Sequence, residues 1–125
     1  MHYLSTRNNQ LKESFLNILF RGLSKDGGLF LPSEWPTISL KNLQGKSYQE
    51  VAHSIIYPYI QDDISDADLQ IIINKSYENF DHKKIAPLVN IDQNKYILEL
   101  FYGPTFAFKD YALQFLGSLF SYLLN

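Results

Sequence analysis

Apolar residues fall at helical spacing through much of this chain, switch to strand-like runs, and then return to a helix. Met1-His2-Tyr3-Leu4-Ser5-Thr6 reads as a short first strand. Leu11, Phe15, Ile18, Leu19 and Leu23 recur at the spacing of one helix face, and Gly22 stands where such a helix would end. Lys25-Asp26-Gly27-Gly28 is a turn signal, followed by a short strand at Leu29-Phe30-Leu31 that Pro32 stops. Ser47 and Glu50 stand at the capping-box spacing, where each side chain satisfies the other's orphan backbone donor. Val51, Ile55 and Ile56 carry the apolar face onward until Pro58, which should bend or end the helix. A second start runs from Ser65 to Asp68, ahead of Leu69, Ile72, Ile73 and Tyr77, with Asp66 and Asp68 suited to the positive end of a helix dipole. Pro87-Leu88-Val89-Asn90-Ile91 and Tyr96-Ile97-Leu98-Glu99-Leu100-Phe101 are β-rich runs, either a hairpin or two neighbouring strands. From Phe108 or Lys109 to Leu124 the sequence is helical again and nearly apolar all round, the mark of a helix buried on every side. The order predicts an α+β fold whose last part opens an α/β unit.

Composition narrows the function classes. The chain has 125 residues, of which 46% are hydrophobic, enough for a core and too many for intrinsic disorder. A net charge of −2 argues against a nucleic-acid footprint, which needs a clustered basic excess. With no cysteine there is no disulfide, thiolate nucleophile or thiolate metal site. The first residues lack the basic-then-apolar pattern of a secretory signal, so a cytoplasmic protein without a membrane partner is expected. No metal site is expected either. His2, His53 and His82 stand apart, and Glu50 with His53 is half of a carboxylate–histidine motif whose second copy is missing. Asp62, Asp63, Asp66 and Asp68 lack calcium-loop spacing and fit a solvated loop leading into a helix start.

One segment carries chemistry. Leu98-Glu99-Leu100-Phe101-Tyr102-Gly103-Pro104-Thr105-Phe106-Ala107-Phe108-Lys109-Asp110 runs from a strand through a loop into a helix, the place where α/β sheets hold ligands. A single lysine, Lys109, sits there among aromatics. The positive helix end and desolvation would both favour its neutral amine, the form that Schiff-base chemistry requires. Spacing alone leaves a second reading open: a solvated lysine in a first helical turn, paired with Asp110 or Glu99. Ser5-Thr6-Arg7 is open in the same way, either an anion holder or a strand-end turn whose hydroxyls cap local backbone groups. Asp26-Gly27-Gly28 lacks the Gly-rich loop-to-helix pattern of a phosphate loop.

These segments together resemble threonine synthase. The resemblance rests on Tyr3-Leu4-Ser5-Thr6-Arg7, Phe15, Gly22-Leu23 and Asp26-Gly27-Gly28-Leu29-Phe30-Leu31-Pro32, and on residues 98–110 followed by Gln114. It covers essentially the whole chain. It implies an N-terminal strand and helix domain over residues 1–85. Residues 86–125 would then start a fold type II (β-family) pyridoxal-phosphate domain. It also implies that Lys109 is both the catalytic and the cofactor-binding residue, forming the Schiff base with pyridoxal phosphate, while Phe106 and Phe108 either shield the amine or are plain core residues. The implied reaction converts O-phosphohomoserine and water to threonine and phosphate.

The sequence departs from the family pattern at two positions. Asn8 stands where Gly is usual, a residue that still tolerates positive φ, and Tyr102 stands where His is usual. No Gly-rich loop follows Lys109, so the stretch is expected to be inactive alone. The other reading of the same residues is a folded, non-catalytic structural or interaction module. The apolar surface of residues 111–124 is expected to self-associate, as a symmetric dimer, or else to swap or disorder that helix.

Overall fold

Three short strands, a hairpin and four helices make up the fold, seen in a computed structural model that describes residues 1–124. The chain divides into two compact units, one of residues 1–44 and 54–68, the other of residues 45–53 and those from 69 onward.

In the first unit β1 (Tyr3–Ser5) is the central strand, with β2 (Lys12–Glu13) and β3 (Phe30–Pro32) antiparallel on either side. Tyr3 pairs with Glu13 on one edge and with Pro32 on the other. Pro32 therefore lies inside a strand, where an edge position tolerates its missing N–H. Between β2 and β3 runs α1 (Phe15–Arg21), capped by the Ser14 hydroxyl accepting from the Asn17 N–H and closed by Gly22 at φ 73°. Gly22 ends the helix as its sequence position predicts. The helix is shorter than the Leu11–Leu23 periodicity suggests: residues 12–13 pair with β1, Ser14 takes the cap, and Leu11 and Leu23 are left exposed. Residues 54–68 close this unit, with the Tyr3 hydroxyl donating to the Tyr59 carbonyl and Asp63 accepting the Phe15 N–H. A 3-10 turn at Leu40–Leu43 has no clear sequence signal.

α2 (Tyr48–Ile60) begins with the predicted capping box: the Ser47 N–H donates to Glu50 Oε2 at 2.7 Å, and the Glu50 N–H donates to Ser47 Oγ at 3.3 Å. It runs two residues past Pro58 and ends within one turn of it. Pro58 falls in the last turn, so only one ladder bond is lost there. α3 (Asp66–Tyr77) starts at the Ser65 cap and buries Leu69, Ile72, Ile73, Ser76 and Tyr77, one face at helical spacing.

That face forms the core of the second unit, together with Ile85 and Leu119. The rings of Tyr48, Tyr77, Phe80 and Tyr111 pack edge to face around it, at centroid separations of 4.9 to 6.2 Å. β4 (Leu88–Asp92) and β5 (Lys95–Leu98) form the hairpin, with Asn94 at φ 59° in its turn. Every residue of both strands is exposed. α4 (Asp110–Leu124) corrects another expectation. Only Asp110 and Leu119 are buried in it, while Leu113, Leu116, Tyr122 and Leu124 face outward, because the described residues pack against one side of the helix alone. No helix among the described residues is long and apolar enough to cross a membrane.

Candidate functional site

Between β5 and α4 the chain makes a tight loop, residues 99–109, whose last member is Lys109. The Lys109 carbonyl accepts the Leu113 N–H at 2.9 Å and the Ala112 N–H at 3.1 Å, so this residue opens the first turn of α4. Its side chain is exposed. The amine thus stands at the positive end of a fifteen-residue helix, as the sequence predicts.

The aromatic shield is not formed by this stretch. Phe106 is 75% exposed and Phe108 65%. The loop meets the core through Gly103 and Asp110, which are buried, and leaves the residues between them in water. Neither expected charge partner pairs with Lys109. Glu99 accepts the Tyr102 hydroxyl at 2.8 Å, and Asp110 accepts the Thr105 N–H and hydroxyl, both at 2.8 Å. The Glu99 bond, with burial adding to it, raises the Tyr102 phenol above its ordinary range. The Tyr102 ring also packs on His82 at 4.7 Å and on Phe101 at 4.8 Å. At the position where the sequence pattern favours histidine, this chain therefore places a neutral phenol already bonded to a carboxylate.

Asp110 itself is 2% exposed. Burial pushes its carboxyl up, but the Thr105, Gln114 and Ala107 hydrogen bonds outweigh it and hold the group below the usual carboxylate range. This clamp was not legible in the sequence. Its only trace is a glycine, a threonine and an aspartate within eight residues at a helix start.

The N-terminal motif folds on itself. Ser5 Oγ donates to both Asp26 carboxylate oxygens, at 2.8 and 2.9 Å, and the Gly28 N–H donates to Asp26 Oδ1 at 2.9 Å. Thr6 Oγ1 accepts the Leu29 N–H, and the Arg7 guanidinium donates to the Asp26 carbonyl. The Gly28 bond first, then Ser5, lowers the Asp26 carboxyl below its ordinary value. Of the two readings of Ser5-Thr6-Arg7, this geometry is the local turn, since the hydroxyls and the Gly28 amide are spent within the motif. Asn8 stays outside the left-handed region and makes an Asx turn instead, its Oδ1 accepting the Gln10 N–H. The tolerance of asparagine for positive φ is thus not used here: the turn survives through a side-chain acceptor.

The acidic run is used locally as well. Asp63 accepts from Phe15, Asp62 pairs with the terminal ammonium of Met1, and Asp68 accepts from Ser65. Among the described residues no three His, Asp or Glu side chains gather as a metal set. A surface cavity of about 450 Å³ lies beside Tyr77, Phe80, His82 and Ile85, and Lys109 does not line it.

Comparison with known proteins shows the family. The family model for the threonine synthase N terminus matches residues 2–77. The chain is 40% identical to threonine synthase of Pseudomonas aeruginosa, over 99% of its own length and 27% of that protein's. Its structure superposes on the pyridoxal-phosphate-bound threonine synthase of Brucella melitensis with a TM-score of 0.93 and 42% identity, covering 99% of this chain and 27% of the other. The yeast threonine synthase structure gives a TM-score of 0.89 at 43% identity, covering 98% and 26%. The chain thus spans about a quarter of the length of the relatives it matches.

Proposed function

Because the chain belongs to the threonine synthase family, we propose that it forms the N-terminal part of an enzyme converting O-phosphohomoserine and water to threonine and phosphate, and that Lys109 is its cofactor lysine. Within it, residues 1–85 form the N-terminal domain and residues 86–125 begin the pyridoxal-phosphate domain, of fold type II. The reading carries with it a cytoplasmic enzyme working on a small molecule, with no nucleic-acid or membrane partner. The observation that supports it best is the placement of Lys109, an exposed amine at a helix N-terminus on a loop fixed from within.

Pyridoxal phosphate asks a protein for an amine at its aldehyde, an anion cradle at its phosphate and a partner at its pyridine nitrogen. Lys109 suits the first. The one glycine pair, Gly27-Gly28, has its Gly28 amide bonded to Asp26, so it offers no anion cradle. This stretch therefore fits the aldehyde end of the group and relies on the rest of a longer polypeptide for the other two. When bound, the group acts as an electron sink for the substrate carbons. Lys109 Nζ would hold it and carry protons to and from those carbons, while the loop from Gly103 to Asp110 keeps the lysine backbone still.

The stretch alone should not turn over. Phosphate release from O-phosphohomoserine is expected from a complete polypeptide carrying this sequence, and none from residues 1–125 by themselves. Loss of release in Lys109→Ala supports the assignment, and a fully active Lys109→Ala enzyme would overturn it. By itself the chain should self-associate through residues 111–124, because Leu113, Leu116, Tyr122 and Leu124 are exposed along α4. Light scattering of residues 1–125 at micromolar concentration tests this, and a clean monomer would refute it.

A further inference from the structure

We propose that Asp110 is a positioning residue for Lys109: its buried carboxylate closes the loop from Thr105 into a ring that fixes the lysine backbone. The proposal rests on the assignment of Lys109 above and deepens it.

Four observations converge on this ring. Asp110 Oδ2 accepts the Thr105 N–H and Oδ1 accepts the Thr105 hydroxyl, each at 2.8 Å, so one side chain grips both donors of a residue five positions earlier. Gly103 lies directly against it: a Cβ added there would sit 2.4 Å from Asp110 Cβ and 2.5 Å from its Oδ2. Only glycine lets the backbone approach that closely. The chain between is wound tightly, with the Phe106 N–H on the Gly103 carbonyl and the Asp110 N–H on the Ala107 carbonyl, both at 3.0 Å. Phe106 is held at φ 61°, a left-handed conformation that a non-glycine residue keeps only when its surroundings impose it.

Lys109 is the last residue inside this ring. On its other side the first hydrogen bonds of α4 hold its carbonyl. Its Cα is thus restrained from both directions while its amine remains in solvent. An amine that must meet one carbonyl carbon and then move protons over the same short path needs such a support, since a displacement near 1 Å costs on the order of a hundredfold in rate. The geometry also explains why a carboxylate can follow the lysine directly without acting as its counter-ion. Its oxygens are occupied by Thr105, on the loop side.

Two measurements test this. On residues 1–125, amide hydrogen exchange at Thr105 should be slow and should accelerate at least about tenfold in Asp110→Asn, while circular dichroism shows the helices intact. In the complete polypeptide, the rate of pyridoxal phosphate capture, followed by visible absorbance and by borohydride trapping mapped to Lys109, should fall about tenfold or more in Asp110→Asn. Thr105→Val, which keeps the carboxylate but removes the hydroxyl, should slow capture too, and Thr105→Ser should restore most of it. Unchanged capture in both Asp110→Asn and Thr105→Val, with Lys109→Ala still unable to capture, would overturn the positioning role alone. Undiminished capture in Lys109→Ala would instead overturn the lysine assignment on which it rests. If Asp110→Asn fails to fold, the Thr105→Val and Thr105→Ser pair decides.

Discussion

The Tyr111 hydroxyl donates a 2.7 Å hydrogen bond to the carbonyl of Ile85, a β-branched residue held at φ 60° and 3% exposed. A β-branched side chain rarely occupies that region, and the conformation costs about 1–2 kcal/mol. Against this stands the burial of an isoleucine in the core of the second unit, where truncation costs about 2–5 kcal/mol. Burial wins. Ile85→Gly should therefore destabilise by about 2 kcal/mol or more despite relieving the backbone, and Tyr111→Phe by about 1 kcal/mol. Urea denaturation midpoints of the two variants check both values.

Gly28 is the second test of close packing. A Cβ there would lie 2.2 Å from Ser5 Oγ, the atom that bonds Asp26. Gly28→Ala should cost about 1–3 kcal/mol. The cost should shrink in a Ser5→Ala background, where the clashing atom is gone. A double-mutant cycle by thermal unfolding measures the coupling, and strict additivity would contradict the contact.

Alkaline pH should loosen the fold. Burial first, then the neighbouring Tyr59 and Asp63, pushes the Tyr3 phenol up to about 12, and burial also raises Tyr77. An unfolded tyrosine ionises near 10, so the stability these groups contribute is intact below pH 10 and is lost as the pH climbs from 10 towards 12. Denaturant midpoints at pH 9, 10.5 and 11.5 should fall steadily. The fall should be shallower in Tyr3→Phe, which has no proton to lose.

At the acid end, the capping box gives the opposite sign. The Ser47 side chain, and after it the Ser47 backbone N–H, lowers the Glu50 carboxyl from its ordinary 4.5. Its contribution is present above 4.5 and disappears as the pH falls through the lowered value. Ser47→Ala should shift the Glu50 titration upward towards 4.5, which carbon-detected NMR across pH 2–6 reads directly. The start of α2 should also fray in that variant.

What could be read in advance was local. The Ser47–Glu50 box, the Ser65 start and the Gly22 stop depend on residues within five positions of one another, the hairpin pairs Leu88 with Leu98 only ten positions on, and all four are present. β2 was hidden because Lys12 and Glu13 join a strand through pairing with Tyr3 and Leu4, not through any periodicity of their own. The exposed faces of α4 were hidden for a related reason: apolar spacing shows that a helix must be covered, but not which residues cover it. At the site, Lys109 was legible from its motif. The grip of Asp110 on Thr105 was not, because an aspartate at a helix start is ordinarily satisfied by the helix itself, whereas this one reaches backward.

The hairpin just upstream of that loop has its own consequence. A two-stranded ribbon with every residue in water draws almost nothing from burial, and such ribbons are marginal in isolation. It should therefore be the first part of the second unit to open in native-state exchange, well before the α3 face. When it opens, the bond from the Glu99 N–H to the Pro87 carbonyl opens with it. The lysine loop then loses that upstream tether and hangs from two hinges, Asp110 at one end and the Tyr102 carbonyl, bonded by the Asp81 N–H, at the other.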